Sequence, residues 1–153
     1  MKTQLLAECP DLVPTVAYWL HEEFSHIDQK LATQEGAEHQ IAKRLNPGGC
    51  PITVLTFEGN IPTGTASLVE CDLEPCAHLT PWLTDVYVQP FYRGHGHGSH
   101  LIHSITKHAK RNKYRKLHLY TENRQAFYKR LGWVESIKLV HLGCPVSVME
   151  LTL

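Results

Sequence analysis

The segment Asp85-Val86-Tyr87-Val88-Gln89-Pro90-Phe91-Tyr92-Arg93-Gly94-His95-Gly96-His97-Gly98-Ser99-His100-Leu101-Ile102 constrains this chain more than any other. Its β-branched residues predict a strand up to Val88. Three alternate glycines predict a tight loop, and Leu101, Ile105 and Ala109 continue on one helical stripe. Glycine lets the backbone turn sharply and approach a ligand closely, and a helix start presents unpaired N–H groups at the positive end of a dipole. A strand that feeds a helix through such a loop is a phosphate cradle. Fifteen Lys+Arg balance fifteen Asp+Glu, which removes the broad electrostatic case for nucleic acid or an anionic membrane. An anion must then be held locally, by peptide N–H groups and Arg93. A Walker loop would need a Lys that this loop lacks, and a dinucleotide fingerprint would need GxGxxG, whereas the spacing here is GxGxG.

The rest of the chain reads as a single domain over residues 1–153, with no repeat, low-complexity tract or linker. Leu12, Val16, Trp19 and Leu20 recur at helical spacing to about Phe24. A weaker helical segment runs from about Gln34 to Leu45, where Asn46-Pro47-Gly48-Gly49 stops it. Ile52 to Phe57 and Gly64 to Glu70 flank the turn signal Glu58-Gly59-Asn60 and predict a hairpin. Trp82 to Val88 is the strand before the glycine loop, and the helix after it spans Gly96 to about Asn112. Leu117 to Tyr120 predicts a strand and Asn123 to Leu131 a short helix ended by Gly132. Trp133 to Val140 and Val146 to Leu151 predict two closing strands. The class is α/β with a mixed sheet. No apolar run reaches the length of about 20 residues that crosses a bilayer, and no signal-peptide pattern opens the chain. The five cysteines are odd in number and form no CxxC. A cytoplasmic protein with free thiols is expected.

Residues Val88 to Gly98 resemble the acetyl-coenzyme A signature of the GCN5-related N-acetyltransferases (GNAT), R/Q-x-x-G-x-G/A, with Arg93, Gly96 and Gly98 at its fixed positions. Downstream, Ala126-Phe127-Tyr128-Lys129-Arg130-Leu131-Gly132-Trp133 resembles the family's second signature, an aromatic pair followed by Leu-Gly-Phe. The element order from Leu12 to Leu151 extends the resemblance to nearly the whole chain. It implies a GNAT-type mixed, mostly antiparallel sheet of about six to seven strands with about four helices. It also implies an N-acetyltransferase that moves the acetyl group of acetyl-CoA directly to a primary amine in a ternary complex, with acetyl-CoA as co-substrate and no metal. By the same resemblance, the strand before the loop carries a bulge and splays from its neighbour, and the backbone of Val86, Tyr87 and Val88 meets the pantetheine arm. Arg93, Gly94, His95, Gly96, His97, Gly98 and Ser99 hold the pyrophosphate. Thr121 contacts the cofactor from the slot, seven positions before Tyr128, where an Asn is usual. Tyr128 matches the residue that donates a proton to the leaving thiolate, and a phenol of pKa about 10 is protonated at neutral pH. Asp85 is the nearest match to the acidic positions that act as base, with Glu70, Glu22, Glu23 or water as alternatives. The partner implied is an amine-bearing acceptor, small molecule or protein amine, without nucleic acid or membrane, and a homodimer is compatible.

Blander readings stand beside these. The glycines could merely shape a turn, Tyr128 could be a core aromatic between Phe127 and Trp133, and the carboxylates could be solvated. A non-catalytic acyl-CoA-binding or sensor module would keep the loop without turnover. The eleven histidines invite a metal reading, because His100 and His103 share a helical face. A loop whose peptide groups face phosphate instead turns alternate side chains away, which makes His95 and His97 surface or phosphate-facing residues. The acceptor is expected near the first two helices, the loop Cys71 to Thr80 and the last hairpin, with Tyr18, Trp19, Glu22, His26, Trp82 and His141 as candidate linings.

Overall fold

The computed structural model describes residues 1–153. In chain order the elements are β1 (Lys2–Leu5), α1 (Val13–Phe24), α2 (Gln34–Ala42), β2 (Ile52–Glu58), β3 (Ile61–Val69), β4 (Trp82–Val88), α3 (His97–Arg111), β5 (Lys116–Thr121), α4 (Gln125–Arg130), β6 (Val134–His141) and β7 (Cys144–Thr152). The strands form one sheet in the order β1-β2-β3-β4-β5-β7-β6, antiparallel except between β4 and β5.

The unbroken buried run of β2, Ile52 to Phe57, decides the layering. Ile52 and Val54 point into a core with Leu101, Ile105 and Ala109 of α3, while Leu55 and Phe57 point the other way into a core with Val16, Leu20 and Ile41 of α1 and α2. Each such side chain contributes about 1.5–3 kcal/mol when fully buried, so both faces of the strand hold helices against it. The stripe on α3 lies where its 3.6-residue period places it. Thr33 caps α2 by accepting from the Gly36 N–H at 2.9 Å.

The structure adds β1, which the sequence pattern left unassigned. This short edge strand pairs only with β2, and three of its four residues, Lys2, Thr3 and Gln4, are polar. The second helix ends at Ala42 rather than Leu45, because Leu45 leaves it to bridge Ile52. All five cysteines are free.

Two irregularities shape the site. The β3–β4 register slips between Thr65 and Ser67, opposite a bulge at Asp85, whose φ is +56°. Asp tolerates this left-handed region better than most residues. Beyond it, β4 and β5 meet through a single residue pair, Trp82 with His118, and then part. Gly64 lets β3 pass close under the outer half of β4, since a Cβ there would sit 2.6 Å from the Tyr87 carbonyl oxygen.

Candidate active site

Where β4 and β5 diverge, a cleft of about 630 Å³ opens, lined by β4, the glycine loop, the ends of α1 and β5, and α4. That volume is in the range of small-molecule sites. Gly94 (φ +78°) and Gly96 (φ +89°) carry the chain round from β4 into α3, Gly96 being the residue before the helix. The first backbone bond of the helix runs from the His100 N–H to the Gly96 carbonyl at 3.0 Å. The peptide N–H groups from Gly94 to Ser99 donate to no backbone carbonyl, and they stand at the positive end of a fifteen-residue helix. Arg93 differs: its N–H bonds the Pro90 carbonyl, its Nε donates to the Val88 carbonyl at 2.8 Å, and its guanidinium lies 5.5 Å from the Tyr87 ring centre.

His95 is exposed and lies outside the cleft wall, as alternation predicts. His97 does not follow that expectation: it is 2 % exposed. The positive φ at Gly96 turns its imidazole down onto the sheet, where Nδ1 is 2.9 Å from Thr63 Oγ1 and Nε2 is 3.3 Å from Glu58 Oε1. The ring thus holds the loop's floor. His97, Gly98 and Ser99 all line the cleft. His100 and His103 are exposed on the outer face of α3, and no group of three or more His, Cys, Asp or Glu is placed to hold a metal ion.

On the opposite wall, Tyr128 of α4 is 8 % exposed, its ring set edge-on against Phe127 and Trp133. Burial pushes its phenol up to about 12, against a smaller pull from Arg124, so it is a proton donor at neutral pH. It is therefore both a packed aromatic and a cleft residue. Thr121 also lines the cleft, but its Oγ1 accepts from the Arg124 N–H at 3.1 Å and so ties the start of α4 to β5. Val86, Tyr87 and Val88 present the parted edge of β4, and Tyr87 stacks on Trp19 of α1 at 5.6 Å.

The inner end of the cleft is acidic. Asp28, Asp72 and Asp85 cluster there, and Glu23 and Glu122 line the cleft on either side. The Asp85 carboxylate is 5 % exposed and accepts from Arg44 Nη1 at 2.7 Å; the same nitrogen donates to Ser67 Oγ, which meets Thr53 Oγ1 at 2.7 Å. Glu122 bonds His26 at 2.8 Å. The Asp28 carboxylate accepts from the Lys30 N–H at 2.9 Å, and burial raises its pKa. Asp72 is pushed up to about 7, first by burial and then by the Asp85 charge, with a hydrogen bond from Thr84 and the Arg44 charge opposing. Tyr120 is raised by burial and by Asp72.

Of the acceptor linings named from sequence, His26 reaches the cleft directly. His141 is half-buried behind it, facing the Ile27 carbonyl and the Tyr120 ring. Trp82 does not: it is fully buried, its indole N–H donating to the Leu79 carbonyl at 2.7 Å. Trp19 is a core residue, while Tyr18 and Glu22 are exposed outside the cleft. Glu23 lines the cleft and the exposed Glu70 does not. Sequence reasoning missed Arg44 and Asp72. Nothing local marks Arg44, forty-one residues from Asp85 in the chain; Asp72 lies in a loop already expected near the acceptor.

The sequence profile of the acetyltransferase (GNAT) family matches residues 13–133. The chain belongs to that family. No curated protein is similar enough in sequence to count as a relative. Among solved structures, an aminoglycoside 6'-N-acetyltransferase complexed with coenzyme A is 15% identical, covers 99% of this chain and 97% of its own, and superposes with a TM-score of 0.75. A ribosomal-protein-alanine N-acetyltransferase from Brucella melitensis is 19% identical over 100% of both chains, with a TM-score of 0.77. A protein from Salmonella typhimurium, solved with its cofactor acetyl-CoA, is 18% identical over 99% of this chain and 92% of its own, with a TM-score of 0.72. These likenesses bear on the fold.

Proposed function

We propose that the protein is an N-acetyltransferase that transfers the acetyl group of acetyl-CoA directly to a primary amine. The row of unpartnered peptide N–H groups from Gly94 to Ser99 at the start of α3 carries this reading. A diphosphate satisfies such donors without any surplus of basic side chains. From there the pantetheine arm runs along Val88, Tyr87 and Val86, whose edge is unpaired because β5 has turned away. This brings the thioester to the middle of the cleft, between the bulge and Tyr128.

Both substrates lie in one cleft, so the amine attacks the thioester carbon without an enzyme-bound acyl group, and proximity supplies much of the rate. Tyr128 gives its proton to the departing sulfur. An acyl-CoA sensor would bind the same cofactor, but the acidic inner end favours an enzyme: it is built to receive a cation, and an amine acceptor arrives as one. Calorimetry with acetyl-CoA, followed by a screen of amines for loss of the thioester absorbance, tests the reading. Binding followed by turnover with at least one amine is expected. Binding without turnover across the panel would leave the sensor, and no binding would overturn both.

A further inference from the structure

Five carboxylates line the cleft, and four of them are committed or remote. Asp85 is locked to Arg44 at 2.7 Å with both side chains nearly closed to solvent. Protonating it would leave a buried guanidinium without its counter-charge. Glu122 is paired with His26, the Asp28 carboxylate holds the Lys30 N–H, and Glu23 is exposed on α1 beside Tyr87 and Arg93. Asp72, in the loop between β3 and β4, is half-buried, faces the cleft and has no cation of its own.

Resting on the acetyl-transfer reading, we infer that Asp72 is the general base of the reaction and that the buried Arg44–Asp85 pair beside it tunes it. The acceptor ammonium gives one proton to the Asp72 carboxylate. The free amine nitrogen then forms its bond to the thioester carbon, and the carbon–sulfur bond breaks. Tyr128 protonates the thiolate and recovers a proton from the amide nitrogen through solvent. The products are the amide, CoA thiol and one proton, which Asp72 returns to water. The groups around Asp72 are Thr84 and Asp85 of β4, Asp28 after α1, Arg44 after α2 and Tyr120 of β5. Burial and the two neighbouring aspartates hold the Asp72 proton more tightly, while Arg44 and Thr84 loosen it. A base poised near the working pH accepts a proton from an amine better than an ordinary carboxylate does.

The test follows thioester consumption with spermidine and with a lysine-ended peptide across pH for wild type, Asp72→Asn and Asp28→Asn. Expected is a wild-type kcat/KM with an acid limb near neutrality. Asp72→Asn should lower it about 100-fold or more and abolish that limb, while Asp28→Asn, which removes one of the two charges that hold the Asp72 proton, retains the limb and moves it to lower pH. Unchanged cofactor affinity in Asp72→Asn by calorimetry shows that the variant is folded. Wild-type turnover with an unaltered rate and limb in Asp72→Asn would overturn the base and leave the transferase reading standing. A wild type that consumes no thioester with any amine would overturn both.

Discussion

The two ends of the cleft solve opposite electrostatic problems by different means. On the acetyl-transfer reading the outer end holds an anion, and what it offers is backbone: N–H groups from Gly94 to Ser99, the positive end of α3, and only a few cationic side chains. The inner end, where the same reading puts the amine, is built from side chains, Asp28, Asp72 and Asp85, with Arg44 buried among them. Backbone donors need only the right φ and ψ, which glycine supplies. Carboxylates gathered from three separate segments need the whole fold to bring them together and a buried cation from a fourth to keep them from repelling one another. The outer end is thus encoded in a few consecutive residues and the inner end in the tertiary structure.

Changes at each end test that division, the largest first. Gly96→Glu puts a carboxylate into the cradle, where a new Cβ meets nothing within 4 Å but the φ of +89° strains any side chain, so loop distortion adds to the charge effect. Like charges forced together cost several kcal/mol, so acetyl-CoA affinity should fall about 1,000-fold by calorimetry while the chain still folds. Normal affinity would place the diphosphate elsewhere. Arg44→Met strands Asp85 at the other end and should cost about 3–5 kcal/mol in denaturant unfolding; a loss below about 1 kcal/mol would mean that water reaches the pair. Tyr128→Phe, between the two ends, should lower kcat about 100-fold with cofactor affinity unchanged, and an unchanged rate would reduce Tyr128 to packing.

The smallest effect concerns stability. Asp72 has a raised pKa of about 7 in the folded chain against an ordinary value of 3.8. The folded state therefore holds this proton more tightly than the unfolded state does. Stability from this group is greatest below pH 4 and declines as pH rises toward 7. Asp72→Asn should match wild type in acid and exceed it by about 1–3 kcal/mol at pH 8, read from melting curves. A pH-independent difference would show that Asp72 is ionised throughout.

What was legible in the chain follows the same contrast. The glycine loop, the Phe127-Tyr128 pair and the apolar stripes of β2 and α3 are local patterns, and each lands where its period or turn chemistry puts it. The short polar strand β1 has no such period, and its pairing with β2 exists only in the assembled sheet. His97 shows how far alternation carries: one positive φ at Gly96 reverses the direction of the next side chain. Trp82 looks like an acceptor lining in sequence because it follows the loop Cys71 to Thr80, yet its position opposite His118 closes it off. Asp85 is visible as an acid on the right strand, but its partner lies in another segment, and that partner fixes what the carboxylate can do.

The seam at Trp82 and His118 has a mechanical meaning. Strands β1 to β4 and β5 to β7 form two leaves hinged at one stitch of the sheet. On the proposed reading, the pantetheine arm laid along β4 in the gap acts as a surrogate strand, and its departure unzips part of the fabric as well as emptying a pocket. Amide deuterium uptake along the outer half of β4 therefore reports occupancy directly, residue by residue, without any need for turnover.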